Sequence, residues 1–306
     1  MNPVANGLSI VPATPKDSAA EAFFYSNGYC VAKGIISRKH CNSLIKAFKK
    51  EVMPFEGTIL RSTTKKPENH YFSEAGLMTN PILQIQHMKD ADFPNFRASA
   101  LKLLANDNIQ RVLKALFTHP PVMVQSVFYH SSMGTQIHED SHYFDSTEGN
   151  MVGCWIALED IAEDAGRFMV YPKTHNLDQP GKISSEGQLL YDEYQRLSLE
   201  VIRAYKNSNE QPSISDFKSR QKAIREMLKA LNIEPVAPHL KKGDVLFFSS
   251  KILHGSSSPN LDQGLSRMSL IGHFVHEKGD LVKYQEDHEE LNPYELHGLQ
   301  IHQSRS

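Results

Sequence analysis

The chain has 306 residues, 40% of them hydrophobic, and 33 Lys and Arg against 35 Asp and Glu leave a formal charge of -2. That length can bury one large core, so we read a single domain over residues 1–306, and the near-neutral balance excludes the electrostatic footprint of a nucleic-acid or anionic-membrane partner. The three cysteines, Cys30, Cys41 and Cys154, are odd in number and lack CxxC spacing, which suits a reducing compartment.

The opening MNPVANGLSIVPATPKDSAA has no basic segment followed by an apolar one, and no window of ~18 apolar residues occurs along the chain. The expectation is a soluble, unsecreted, cytoplasmic protein. In TPKDSAAEAFFYSNGYCV, Thr14 or Asp17 offers an N-cap, Ala20, Phe23 and Phe24 form an apolar stripe, and Gly28 is a stop, which predicts a first helix. A short strand follows in YCVAKGII, and Ser37 caps a second helix through RKHCNSLIKAFKKEV. Residues 56 to 95 show little periodicity and several turn formers, which predicts a loop of the kind that faces substrate. NFRASALKLLANDNIQRVLKALF has helical spacing with a break near Asn106 and Asp107. Residues of about 14–118 thus read as helical support.

From Pro121 the pattern changes. VMVQSVFYH, GNMVGCWIALED, GRFMVYP, GDVLFFSS and RMSLIGHFV are short runs rich in Val, Ile, Phe and Met, bounded by Gly, Pro, Ser or charge. They predict a mainly β fold with flanking helices, an antiparallel sandwich or barrel over about 121–176 and 241–276. Between them, about 178–240, two charged segments of helical period predict a helical insertion, either a solvated hairpin or a lid over the site mouth.

The stretch TQIHEDSHYF carries the first chemical signal. In a strand, residues i and i+2 share a face, so His138 and Asp140 would project together while Glu139 points away. With 15 His in the chain, one such pair can arise without purpose, and His119, His130, His142, His276 and His302 read as surface or loop residues. A third donor is offered by His254, which a short segment separates from the buried run GDVLFF and which Gly255 follows. Arg267 opens the apolar run RMSLIGHF with Ser269 on the same face, and a buried guanidinium there asks for an anionic partner that the neighbouring sequence does not offer.

Together, His138-x-Asp140, His254 and Arg267, with HEDSHYF, WIALEDIAEDAGRFMVYPKTH and KKGDVLFFSSKILHGSS, resemble the phytanoyl-CoA dioxygenase family of Fe(II)- and 2-oxoglutarate-dependent oxygenases. The likeness runs from FFYSNGYCVAKGIIS to about His276. It implies a double-stranded β-helix, the jelly-roll or cupin-like core, with His138, Asp140 and His254 as both metal ligands and catalytic centre for Fe(II) and O2. Two imidazoles and a carboxylate on one face of an octahedral ion leave positions for a chelating cosubstrate and O2. The same likeness assigns cosubstrate contacts to Arg267, Ser256 and Trp155, and further ones to Gln125, Tyr129 and Ser269. His142 and Tyr143 are placed beside the substrate. A lysine that touches cosubstrate in some members has no fixed counterpart in residues 60 to 90.

The implied reaction is oxidation of an aliphatic C–H bond of a small molecule by a monomer or homodimer, with release of succinate and CO2. Asp140 disfavours the halogenating members, which carry Ala or Gly there, and HQSRS at the end is not a Ser-Lys-Leu peroxisomal address. Desaturation or cyclisation by the same chemistry, a cupin-like metal hydrolase or isomerase, and a silent binding protein remain as alternatives. Arg267 and Ser256 argue against the hydrolase, and the intact triad against the silent protein.

Overall fold

The computed structural model describes residues 10–11, 17–117, 119–206, 213–260 and 263–303. The chain begins with β1 (Ile10–Val11), α1 (Asp17–Asn27), β2 (Tyr29–Ala32) and α2 (Arg38–Ala47), extended by a π-turn over Phe48–Val52. Short strands β3 (Ile59–Leu60), β4 (Pro67–Glu68) and β5 (Ile82–Leu83) lead to α3 (Pro94–Leu104) and α4 (Asp107–Leu116). Then come β6 (Pro121–Tyr129), β7 (Thr135–His138), β8 (Phe144–Ser146), β9 (Val152–Ala157) and β10 (Phe168–Val170). Helices α5 (Ser185–Lys206) and α6 (Ile214–Ala230) precede β11 (Val245–Ser249), β12 (His254–Ser256) and β13 (Ser269–His276). The remaining strands are β14 (Leu281–Lys283), β15 (Asp287–Glu289), β16 (Pro293–Leu296) and β17 (Leu299–His302).

Local chemistry sets the helix ends. Gly28, at φ +80°, turns the chain out of α1, a conformation that costs a residue with a Cβ. The Ser37 hydroxyl accepts the His40 amide at 3.2 Å to start α2, and the Asn106 side chain accepts the Asn108 amide at 3.0 Å, dividing α3 from α4. The Thr14 alternative for the first cap lies outside the described residues.

Two sheets make the jelly-roll, antiparallel apart from the β1–β2 and β17–β6 pairings of the larger. The larger runs β1-β2-β11-β9-β13-β6-β17-β16 with β5 paired to β6, and the smaller is β10-β12-β7. Alternation sorts the large sheet's side chains into two cores. Cys154, Ile156, Phe247, Leu270 and Phe274 face the helices, where Leu44, Phe48, Phe96, Leu101 and Leu113 cover them. Trp155, Leu246, Phe248 and Ile271 face inward and pack on Phe168 and Val170 of the small sheet. Both faces are covered, so these strands read as continuous apolar runs. Strand pairing extends past the expected bounds: β2 joins β11, and β17 joins β6, so residues on either side of the expected core complete the large sheet.

The insertion is docked. Tyr194 of α5 and Ile224, Met227 and Leu228 of α6 share an apolar cluster with Tyr171 and Leu253, and Gln221 donates to the Ile137 carbonyl at 2.7 Å. The solvated hairpin describes only its outer face. Among the described residues, no helix is long and apolar enough to cross a membrane. All three cysteines are free and buried.

Four histidines expected at the surface are buried instead: His130, His142, His276 and His302. Each ring finds a polar partner, which is what makes a buried imidazole tolerable. His276 Nε2 lies 2.9 Å from Glu148 and His302 Nε2 3.1 Å from Glu289. His130 Nδ1 accepts the Met78 amide at 3.0 Å, so that nitrogen carries no proton in the native state.

Burial, with Lys49 nearby, pushes the His130 pKa down to about 4. Below the unfolded value of 6.5, the unfolded chain takes up a proton that the native ring refuses, so stability falls as pH drops from 6.5 toward about 4. Denaturant midpoints measured across that window should show the loss, which for one such group is roughly 3 kcal/mol at most. His130→Asn, which cannot titrate, should flatten the slope; an unchanged slope would place the pH dependence elsewhere.

Candidate metal centre and its cavity

β7 and β12 pair antiparallel with His138 directly opposite His254, and their rings stand 4.3 Å apart. Cross-strand partners approach closely by the geometry of the ladder. The register shifts between His254 and Ser256, and a Cβ on Gly255 would lie 2.7 Å from the Thr135 carbonyl oxygen, so glycine is required at that crossing. β7 stops at His138, and Asp140 begins a 3-10 turn over Asp140–His142. Glu139 keeps an extended backbone (φ -117°, ψ 144°), so alternation persists for two residues and returns Asp140 to the face of His138.

One donor atom from each of His138, Asp140 and His254 lies within 4.8 Å of the others. His138 Nδ1 donates to the Gln136 carbonyl at 2.8 Å and His254 Nδ1 to the Ile252 carbonyl at 2.9 Å. A carbonyl oxygen only accepts, so both Nδ1 atoms carry the proton and both neutral rings aim an Nε2 lone pair inward. Those nitrogens stand 3.5 Å and 3.7 Å from the same oxygen, Asp140 Oδ1. Burial and the neighbouring His138 push His254 down to about 4, against the pull of Asp140, so this ring is neutral near pH 7. Burial alone would raise the Asp140 carboxyl, but the imidazoles of His254, His138 and His273 hold it well below the usual range. Three lone pairs converging on one point repel unless a cation sits between them. The donor set fits a divalent ion with open coordination positions: two imidazoles and a carboxylate suit Fe(II), whereas a structural zinc site closes with four ligands.

The triad opens into a cavity of about 900 Å³. Arg267 lines it, 2% exposed, with its guanidinium carbon 5.4 Å from the Tyr129 ring centre and 5.8 Å from that of Trp155. Its Nη1 donates to the Gly166 carbonyl at 2.9 Å and its Nε has no partner. Burial lowers its pKa to about 10, Tyr129 opposing, so it stays charged. Burial likewise raises the Tyr129 hydroxyl, with Arg267 pulling against it. Trp155 Nε1 is buried without a hydrogen-bond partner. A buried, unpaired guanidinium beside an unsatisfied indole is a receptor for an anion.

Of the other expected contacts, Gln125 lines the cavity opposite His273 on the neighbouring strand. Ser256 lines it too, with its hydroxyl accepting the Thr135 amide at 2.7 Å. Ser269 shares a strand face with Ile271 and His273, yet its buried hydroxyl stands outside the cavity wall. Tyr143 is in the wall. His142 is not: the 3-10 turn swings its fully buried ring to Glu139 at 2.8 Å and Gln195 at 2.9 Å, which removes it from the substrate side.

Several wall residues escaped the sequence reading, among them His273, Lys65, Arg220 and Phe217. His273 Nε2 lies 3.2 Å from Asp140 Oδ2, at ion-pair range and without an aligned hydrogen bond; its only sequence signal is an even spacing from Arg267 along one strand face. Lys65, in the loop before β4, is open to the cavity by accessible surface yet ringed by protein, and that burial lowers its pKa while Asp140 opposes the shift. Arg220 and Phe217 arrive from α6.

The family model described as Phytanoyl-CoA dioxygenase (PhyH) matches residues 24–269. The peroxisomal phytanoyl-CoA dioxygenase of Homo sapiens is 24% identical over 265 residues, which cover 83% of this chain and 66% of that protein. The chain thus spans just under two thirds of that relative's length. Among solved structures, the non-heme alpha ketoglutarate dependent epimerase SnoN from nogalamycin biosynthesis superposes with a TM-score of 0.56 at 15% identity, covering 88% of this chain and 86% of SnoN. EctD from S. alaskensis, with 2-oxoglutarate and 5-hydroxyectoine, gives 0.56 at 16%, covering 90% and 80%. At these identities the superpositions establish the shared fold.

Calorimetric titration with Mn(II) should find one site per chain, absent from His254→Ala. His273→Ala, which frees the second carboxylate oxygen, should bind about 10–100-fold more weakly. Wild-type affinity in that variant would show that Asp140 is oriented without it.

Proposed function

Because the chain belongs to the phytanoyl-CoA dioxygenase family, we propose that it is an Fe(II)- and 2-oxoglutarate-dependent oxygenase that hydroxylates an aliphatic C–H bond of a small molecule. The observation that carries this reading is the pairing of two features in one cavity: three lone pairs converging beside an unpaired, buried arginine. A hydrolase or isomerase on the same three donors has no use for the second. When bound, Fe(II) with 2-oxoglutarate and O2 supplies the oxidising chemistry, yielding succinate and CO2.

The chain's own residues do the rest. His138, Asp140 and His254 hold the ion on one side, their Nδ1 donors to Gln136 and Ile252 keeping both rings in the binding tautomer. Arg267 takes the far carboxylate of the cosubstrate, its remaining donors free beyond the Gly166 bond. The Tyr129 and Trp155 rings hold the guanidinium from two sides and keep water from competing with the carboxylate. Phe168, stacked on His254 at 5.4 Å and 15° between planes, and Phe248, 4.8 Å from the same ring, fix that ligand and dry the wall behind it.

Purified protein given Fe(II), 2-oxoglutarate and O2 should release succinate and CO2 in equal amounts. Arg267→Ala removes one member of a buried charge pair, typically worth 2–5 kcal/mol, so the KM for 2-oxoglutarate should rise roughly 30-fold to several-thousand-fold. Arg267→Lys, charged but without the planar fork, should fall between. An alanine variant within about twofold of wild type would remove the assignment of Arg267.

A further inference from the structure

The cavity holds a second buried arginine that the metal and cosubstrate do not use. Arg220 of α6 is 2% exposed and lines the same cavity. Its Nη1 donates to the Tyr143 hydroxyl at 3.1 Å and its Nε is buried with no partner. Among the described residues no carboxylate forms an ion pair with it, although nine other arginine and lysine side chains have one, from Lys33 with Asp244 to Lys283 with Glu289. A guanidinium kept from water and denied an anion is costly, and the fold retains it at the wall of a ligand cavity.

The charge around it has the same sign. Of the seven charged side chains in the wall, five are cationic and two acidic. Asp140 faces the metal position, Arg267 awaits the cosubstrate, and Lys283 is paired with Glu289 at 2.6 Å. Lys65, Lys66 and Arg220 are left against Glu68 alone. Low-dielectric walls of one sign concentrate ligands of the other.

Geometry places Arg220 on the substrate side. The Tyr143 ring stands 6.3 Å from that of His138, so the phenol spans the gap between a metal ligand and the guanidinium bound to its hydroxyl. Because Arg220 donates to that oxygen, the phenolic proton is free to donate to a ligand. Tyr205 and Phe217 extend an apolar surface beside it, Tyr143 to Tyr205 at 5.9 Å and Tyr205 to Phe217 at 6.0 Å. The helix carrying Arg220 is tied to the metal strand by the neighbouring Gln221, which keeps the two ends of this arrangement at a fixed separation.

Resting on the oxygenase reading, we propose that Arg220, with the Tyr143 hydroxyl, receives an anionic group of the substrate, so that the enzyme acts on a carboxylate- or phosphate-bearing molecule oxidised several bonds from that group. The guanidinium fork takes either anion in two-pronged fashion, and the aromatic rings receive the carbon chain between the anion and the reacting carbon.

The test uses whole protein loaded with Mn(II) and saturated with 2-oxoglutarate, so that Arg267 is occupied. Hexanoate, hexyl phosphate, hexanamide and hexan-1-ol are then titrated by calorimetry into wild type, Arg220→Gln, Arg220→Lys and Tyr143→Phe. At least one anionic probe should bind wild type about tenfold or more tighter than both neutral ones, and which anion binds better identifies the group. Arg220→Gln should weaken that probe by about tenfold or more, with Arg220→Lys between, while 2-oxoglutarate affinity stays within about twofold. Should Arg220→Gln fail to fold, the loss in Arg220→Lys and Tyr143→Phe carries the test. Anions binding no tighter than the neutral probes, or not at all, would overturn the proposal, as would a variant that loses probe and 2-oxoglutarate together. Hexyl phosphate held through Arg220 by a protein that takes up no 2-oxoglutarate would instead sink the oxygenase reading and leave the anion site standing.

Discussion

Two imidazole lone pairs and a carboxylate oxygen are held pointing at one another, and among the described residues no cationic side chain sits between them to relieve the repulsion. Backbone carbonyls of Gln136 and Ile252 take the only proton each ring carries, which forces the lone pairs inward. The cost of that arrangement is offset only by a cation. The rest of the site answers to it: Phe168 and Phe248 fix one ring, His273 stands at the spare carboxylate oxygen, and Arg267 lines the same cavity.

The jelly-roll suits this chemistry because its ladders set distances that loops could not. Cross-strand pairing alone brings His138 and His254, 116 positions apart in sequence, to facing positions, and Gly255 lets the two strands cross at that point. The large sheet supplies the opposite wall, with Trp155 and Ile271 on its inner face, while helices pack its outer face and hold it rigid. Other wall groups come from the loop before β4 and from α6, elements that can change without disturbing the ladders.

What was legible in the sequence follows from which forces act locally. Short apolar runs bounded by turn formers revealed the strands, Ser37 marked a helix start and Asn106 a helix break, because capping and alternation are properties of neighbouring residues. His-x-Asp was readable for the same reason, though its strand ends at His138 and the chain turns from Asp140 onward. The buried histidines were not readable, since what makes them tolerable is a distant partner: Glu148 lies 128 positions from His276. His142 was misplaced because a 3-10 turn broke the alternation that would have aimed it at the cavity. Arg220 looked like one more charge on a helix of mixed charge; only the docking of α6 on β7 turns it inward.

The most direct test of the centre is anaerobic. Fe(II) added to the protein should give no visible colour, and 2-oxoglutarate added next should raise a metal-to-ligand charge-transfer band that saturates at one equivalent of iron per chain, because chelation of the keto acid requires an ion held on one face only. Saturating Fe(II) and 2-oxoglutarate that produce no such band would contradict the assignment of His138, Asp140 and His254 as the open-sided metal site.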